Sequence, residues 1–128
     1  MFSTNYPELK RYDSVTLARS PRELLLWLFR KRRRFRISGN SMLPLLKPGE
    51  EILIDLQAYR NTFPRVGDLV IARHPQKPEL KIVKRVAWVV ENGDCFLQGD
   101  NPKESTDSRT FGVVRRDYIL GKATSRFG

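Results

Sequence analysis

The sequence predicts a mainly β fold: a compact, bent sheet or partial barrel preceded by one short helix. Three observations carry this. Six strand-like runs, at about 34–38, 51–56, 68–73, 79–90, 94–98 and 113–122, are separated by regular turn signals. Asn92-Gly93 stands between the apolar runs Val89-Val90 and Cys95-Phe96-Leu97, as in a hairpin closed by a primed turn. Ser20-Pro21-Arg22-Glu23 is a helix start, with Ser as cap, Pro at the first helical position and Glu at the third.

The elements follow in chain order. Residues 1–19 read as an extended lead, and 20–128 as a single domain. The helix is expected from Pro21 to about Lys31, with Leu24, Leu25, Leu28 and Trp27 on its apolar side. Its basic end suits the negative end of the helix dipole. Pro48-Gly49, Val66-Gly67-Asp68 and Gly99-Asp100-Asn101-Pro102 mark turns, and residues 57–66 and 74–78 read as loops.

Composition narrows the function classes. The chain has 128 residues, 40% hydrophobic and 30% charged, as in a soluble globular domain. Its longest apolar run, Leu24 to Phe29, is far short of the roughly 18 residues that cross a bilayer. The run also lacks the small-residue cleavage site of a secretory signal. The single cysteine, Cys95, excludes an intramolecular disulfide and reads as a packed core thiol, in keeping with a cytoplasmic location. No Cys, His and carboxylate cluster has the spacing of a metal site.

The net charge of +10 is uneven: residues 1–36 carry +7 and residues 37–128 carry +3. The excess lies in Arg30-Lys31-Arg32-Arg33-Arg34-Phe35-Arg36. A solvated helix end, a membrane-surface foot over Leu24–Arg36 and a nucleic-acid contact are the three readings. Nucleic acid is the least favoured, because no aromatic-basic interleaving or nucleic-acid module accompanies the run.

Two features carry chemistry. Leu80-Lys81-Ile82-Val83-Lys84-Arg85-Val86-Ala87-Trp88-Val89-Val90 reads as one long strand. Alternation puts Leu80, Ile82, Lys84, Val86, Trp88 and Val90 on one face, and Lys81 and Arg85 on the mixed face where charge is expected. Lys84 therefore interrupts an apolar face, at a cost in free energy. Read alone, it could be a lysine whose stem packs while its head reaches water. The second feature is Ser41, in the Gly/Pro-bracketed turn Ser38-Gly39-Asn40-Ser41-Met42-Leu43-Pro44. A serine is a weak nucleophile until a base takes its proton. A lysine serves as that base only when burial lowers its pKa toward neutrality.

The motifs then resemble a known family. Ser38 to Pro44, followed by Leu46 and Pro48-Gly49, resembles the nucleophile box of the signal peptidase I superfamily. Gly67-Asp68-Leu69-Val70 is similar to its next box, and Ile82-Val83-Lys84-Arg85-Val86 to its lysine box. Gly99-Asp100-Asn101, Ser105-Thr106-Asp107-Ser108-Arg109 and Phe111-Gly112 resemble its last box. The four occur in the family's order over about residues 37–123, and the catalytic core is expected over about 35–123.

The resemblance implies the catalytic-core fold of that superfamily and a Ser–Lys endopeptidase that needs no metal or organic cofactor. It makes Ser41 the nucleophile, Lys84 the general base and Ser105 the residue that orients the lysine. Asp107 and Arg109 would brace the site as an ion pair, sharing a face of an extended segment, together with Gly99, Asp100 and Asn101. Gly39, Asn40, Met42 and Pro44 would line the oxyanion and substrate side. The Ser41 amide would be one oxyanion donor. Gly39 stands where some relatives have a serine that gives the second donor, so that donor stays unassigned, and Leu45 stands where relatives often have threonine. His74, the sole histidine, lies in a proline-bracketed loop and is expected to be exposed and outside the chemistry.

Bacterial members of the superfamily often have membrane helices and a large insertion between the last two boxes. This chain shows neither, with only residues 85–98 intervening, and it has Pro102 after Asn101. In these respects it resembles the nickel-type superoxide dismutase maturation proteases. That implies a cytoplasmic enzyme whose partner is the dismutase precursor, from which it removes an N-terminal leader. Two further readings are a membrane-docked signal peptidase acting on exported precursors and a non-enzymatic basic nucleic-acid-binding protein. A self-cleaving domain of the SOS-repressor type is disfavoured, since residues 1–19 offer no Ala-Gly-type site.

Overall fold

Six antiparallel strands form one open sheet in the computed structural model, which describes residues 17–127. The helix α1 (Pro21–Leu28) comes first, then β1 (Arg33–Arg36), β2 (Glu51–Asp55), β3 (Leu69–Arg73), β4 (Lys81–Val89) and β5 (Cys95–Gln98). The short helix α2 (Ser108–Phe111) and the strand β6 (Ile119–Arg126) complete the chain. The spatial order β1-β2-β6-β3-β4-β5 inserts the last strand into the middle of the sheet. Most of the lead expected over 1–19 lies outside the described residues.

The sheet is mainly β as expected, and its centre is buried on both faces. Leu69 and Ile71 of β3 join one cluster with Ile37, Met42, Leu46, Ile52 and Ile54. Val70 and Ala72, on the opposite face of the same strand, join Val86, Cys95, Leu97 and Val114 in a second. Register shifts at Leu53/Ile54, Ile71/Ala72 and Val86/Trp88 interrupt the ladders. Cys95 is buried as expected, with its thiol pKa pushed up to about 12 by burial.

Several boundaries differ from the sequence reading. The last strand begins at Ile119 rather than about 113, because Arg116–Tyr118 forms a 3₁₀ turn held by the Tyr118 N–H on the Arg115 carbonyl (2.9 Å) and the Arg116 N–H on Asp94 Oδ1 (2.9 Å). The hairpin at Asn92-Gly93 forms, but not with a primed turn. Only Gly93 takes a positive φ (93°), the Gly93 N–H bonds the Val90 carbonyl, and the Val90 N–H bonds the Asp94 carbonyl.

Helix α1 is capped by Ser20 as expected, through a bond from the Glu23 N–H to Ser20 Oγ (3.2 Å). It ends at Leu28, and Arg30 turns the chain out at φ 62°. Its orientation is the larger surprise. Glu23 is the buried member, receiving Arg32 Nε at 2.6 Å, while Leu25 and Leu28 of the expected apolar side are 55% and 62% exposed. Burial alone would raise the Glu23 pKa, but the bonds from Arg32 and Thr124 outweigh it and hold the carboxyl below its ordinary value. The Glu23–Arg32 pair holds one side of the helix, while Leu24 and Trp27 are half-buried and the Trp27 ring meets Phe127 edge-on at 4.8 Å.

Candidate active site

The serine turn is built between β1 and β2. Ile37 pairs back to this loop through its N–H on the Glu50 carbonyl (2.8 Å) and its carbonyl from the Gly49 N–H (2.8 Å). Gly39 takes φ 76°, a left-handed conformation that favours glycine, and a Cβ there would meet nothing within 4 Å. The requirement at Gly39 is therefore conformational. Met42 and Leu46 are buried and anchor the turn in the core, leaving Ser41 half-buried at its tip. Arg126 reaches from β6 to the Leu45 carbonyl and to Glu50, closing the loop from behind.

Lys84 lies on β4 opposite Val70, 4% exposed. Its ammonium donates to Ser105 Oγ (3.0 Å), and Ser105 Oγ donates to Asp107 Oδ2 (2.7 Å). Asp107 is fully buried and also accepts from the Gly99 N–H (2.9 Å), the Arg109 N–H (3.1 Å), Arg109 Nε (2.9 Å) and an Arg109 terminal nitrogen (2.5 Å). Burial alone would raise the Asp107 pKa. The bonds from Arg109, Gly99 and Ser105 outweigh it and hold the carboxylate ionised below its ordinary range.

For Lys84 the balance runs the other way. Burial lowers its pKa, Asp107 pulls it up, Arg109 pushes it down, and the net is below the ordinary lysine value.

Asp107 and Arg109 pair as expected, but not on an extended segment. Asp107 is the N-cap of α2, and its side chain holds the first turn of that helix. Ser108, which the sequence reading did not single out as a site residue, is buried and accepts the Leu97 N–H at Oγ (2.7 Å), fixing α2 to β5.

The Gly99-Asp100-Asn101 loop joins the serine turn to this chain of bonds. The Asn101 N–H donates to the Ser41 carbonyl (2.8 Å), and Asn101 Nδ2 donates to the Asn40 carbonyl (3.0 Å). Asp100 receives Arg85 Nε and a terminal Arg85 nitrogen, both at 2.9 Å. Arg85 is thus 4% exposed, against the expectation of a charged outer face. Its guanidinium also donates to the Gly67 carbonyl (3.0 Å), and that bond together with the carboxylate of Asp100 makes burial tolerable.

A cleft of about 370 Å³ lies over these groups, and both Ser41 and Lys84 line it. Gly39, Asn40 and Met42 line it too, whereas Pro44 is exposed and does not. His74 corrects the sequence reading: it is 9% exposed and forms part of the cleft wall. The Gln76 N–H donates to its Nδ1 (3.1 Å), and the Phe111 ring meets it edge-on at 5.0 Å. Glu104, also unanticipated, accepts from Asn40 Nδ2 and Asn101 Nδ2, both at 3.2 Å. Among the described residues no group of three or more His, Cys, Asp or Glu side chains could hold a metal ion. No described helix is long and apolar enough to cross a membrane.

Comparison with known proteins gives a consistent answer. A family model described as signal peptidase, peptidase S26, matches residues 23–89 and 87–127. A mitochondrial ATP-independent inner membrane protease subunit 1a of Arabidopsis thaliana is 34% identical over 112 residues, covering 70% of this chain and 67% of that protein. A mitochondrial inner membrane protease subunit 2 of Danio rerio is 30% identical over 110 residues, covering 70% of this chain and 60% of that protein. A probable signal peptidase I-1 of Synechocystis is 25% identical over 147 residues, covering 81% of this chain and 74% of that protein. The chain thus spans 67% and 60% of the length of the first two relatives. With a matching family model over most of its length, and with residues of the serine, lysine and last boxes lining one cleft, the chain belongs to the signal peptidase, peptidase S26, family of serine peptidases.

Proposed function

We propose that this protein is a Ser–Lys endopeptidase that removes an N-terminal leader from a precursor protein, with the nickel-type superoxide dismutase precursor as substrate. The observation that carries the chemistry is the chain Lys84–Ser105–Asp107–Arg109, which ends in a buried lysine of lowered pKa on the same cleft as Ser41.

In this mechanism neutral Lys84 takes the Ser41 proton as Ser41 Oγ attacks the scissile carbonyl. The tetrahedral oxyanion is stabilised by the Ser41 N–H. Collapse breaks the peptide bond, and the Lys84 ammonium gives its proton to the departing amine. Water then attacks the acyl-enzyme, with Lys84 as base again, and releases the leader acid and free Ser41. Ser105 orients the lysine, and Asp107 and Arg109 keep Ser105 in place. Gly99, Asp100 and Asn101 hold the serine turn against that chain, while Met42 anchors it.

The dismutase-precursor reading is supported by the subgroup resemblance, which Pro102 in the last box and the short β4–β5 connection carry. The test is intact-mass analysis of the nickel superoxide dismutase precursor incubated with the protein, with Ser41→Ala and with Lys84→Ala. One cut at the leader junction, absent with both folded variants, is expected. An intact precursor with the folded wild type would overturn the substrate reading.

One observation favours a second reading, a membrane-docked enzyme acting on exported precursors. Leu25, Leu28 and Phe29 lie one helical turn apart, 55%, 62% and 70% exposed, beside the cations Arg30, Lys31 and Arg33. Co-sedimentation with anionic vesicles at low salt, lost in Leu28→Glu/Phe29→Glu, would support it. No co-sedimentation would remove it.

A further inference from the structure

The cleft is electrically one-sided. Four of its lining residues are basic or titrate as bases: His74, Lys77, Lys81 and Lys84. The only carboxylate among its lining residues is Glu104, and both its oxygens are already taken by the side-chain amides of Asn40 and Asn101. Lys84 belongs to the proposed chemistry, which leaves Lys77 and Lys81. Both are exposed, and neither has a carboxylate within ion-pair distance among the described residues.

The two lysines are displayed on a fixed frame. Lys81 begins β4 opposite Arg73. Lys77 lies in the loop between β3 and β4, which three backbone bonds tie down: the Lys77 N–H on the His74 carbonyl (3.2 Å), the Leu80 N–H on the Lys77 carbonyl (2.8 Å) and the His74 N–H on the Leu80 carbonyl (2.8 Å). The cations also act inside the cleft. The His74 pKa is lowered first by burial and then by the Lys77 and Lys84 ammoniums, with Glu79 opposing. The His74 imidazole is thus held below its ordinary value, and the exposed ammoniums lining the cleft are those of Lys77 and Lys81.

We infer that Lys77 and Lys81 are specificity residues that select a substrate segment bearing an acidic side chain within the cleft. This rests on the peptidase reading above and names the chemistry of its substrate. An aspartate or glutamate near the scissile bond would meet two unpaired ammoniums beside an apolar floor of Phe35, Ile37 and Met42. A lysine or arginine there would meet like charge. Pairs at this exposure are individually worth up to about fivefold, and they fade with salt.

The test uses internally quenched peptides that place Glu, Gln or Lys in turn at each of the five positions before and three positions after the cut bond. The purified full chain is assayed alongside Ser41→Ala. The expected result is at least one position where kcat/KM falls from Glu to Gln to Lys, by about fivefold per step. The gradient should flatten in Lys77→Gln/Lys81→Gln, reverse in Lys77→Glu/Lys81→Glu, and shrink in 0.5 M salt. The exposed positions of both lysines let these variants fold, which thermal unfolding checks, and the Glu-to-Lys rate ratio taken within each variant cancels any shared change at Lys84. Equal rates for Glu and Lys at every position, or a gradient that survives in the double variants, would overturn the inference. Cleavage of no peptide, with Ser41→Ala indistinguishable from wild type, would instead overturn the peptidase reading and this inference with it.

Discussion

Gly99 and Ser105 approach so closely that a methyl group on Gly99 would fall 2.2 Å from Ser105 Oγ and 2.6 Å from the Ser41 carbonyl oxygen. The glycine is required there for space, since its φ is not in the left-handed region. It lets the loop carrying the serine turn and the loop carrying the lysine's partner share one point of contact.

Gly99→Ala should therefore push the two loops apart. Overpacking of this kind costs about 1–3 kcal/mol. Thermal denaturation should show a folded protein of reduced Tm, and the peptidase assay should show a loss of kcat larger than that stability change explains. A fully active Gly99→Ala protein would mean that the contact relaxes without moving Ser41 or Ser105.

Lys84 is predicted to cost stability. The unfolded chain binds the lysine proton at the ordinary value of about 10.4, whereas burial makes the folded chain bind it only at lower pH. Between the two values the unfolded state carries more protons, so stability rises with pH there, and the deficit is complete below the folded value. Each pH unit separating them is worth about 1.4 kcal/mol. Lys84→Met should thus be inactive yet more stable than wild type at pH 7, with the gap closing above about pH 10.4. Chemical denaturation at both pH values checks it. The same shift predicts a kcat/KM that rises with pH on a limb below the ordinary lysine value.

Ser105→Ala should leave the fold intact and slow catalysis. The Lys84 ammonium loses its 3.0 Å acceptor, and Asp107 keeps its bonds from Arg109 and Gly99. Loss of one hydrogen bond to a charged group corresponds to about 10- to 100-fold in rate. The loss should fall on kcat, with KM little changed.

Asp100→Ala removes both carboxylate bonds to the buried Arg85 of β4. Removing the carboxylate partner of a buried cation, which here keeps its bond to the Gly67 carbonyl (3.0 Å), costs about 3 kcal/mol. Denaturant unfolding should show this loss, and Arg85→Met/Asp100→Leu should recover much of it.

These same residues show how far the sequence could be read. Alternation along β4 placed Lys84 on an apolar face, and it is buried, because short-range periodicity is a property of the strand itself. Arg85 was misread because alternation says nothing about whether the second face is also covered. That depends on Asp100 and the Gly67 carbonyl, 15 and 18 residues away, meeting the Arg85 guanidinium in the fold, with no local signal along the strand. The cap locates helix α1, but its facing involves Glu23 and Arg32, nine residues apart, and Trp27 on Phe127, a hundred residues away, neither of which a helical period reveals. His74 looked exposed from its prolines, while its burial comes from Phe111, far along the chain. Glu104 lay inside a recognised motif, yet its link to Asn40 spans 64 residues and needed the fold to be seen.

The most direct test of the Ser41–Lys84 proposal is acid-quenched intact-mass spectrometry of the enzyme during turnover of the precursor. Attack by Ser41 predicts a transient species heavier than the enzyme by the leader fragment less one water, mapped to Ser41 and absent from Ser41→Ala and Lys84→Ala. Undiminished cleavage by either folded variant would contradict it.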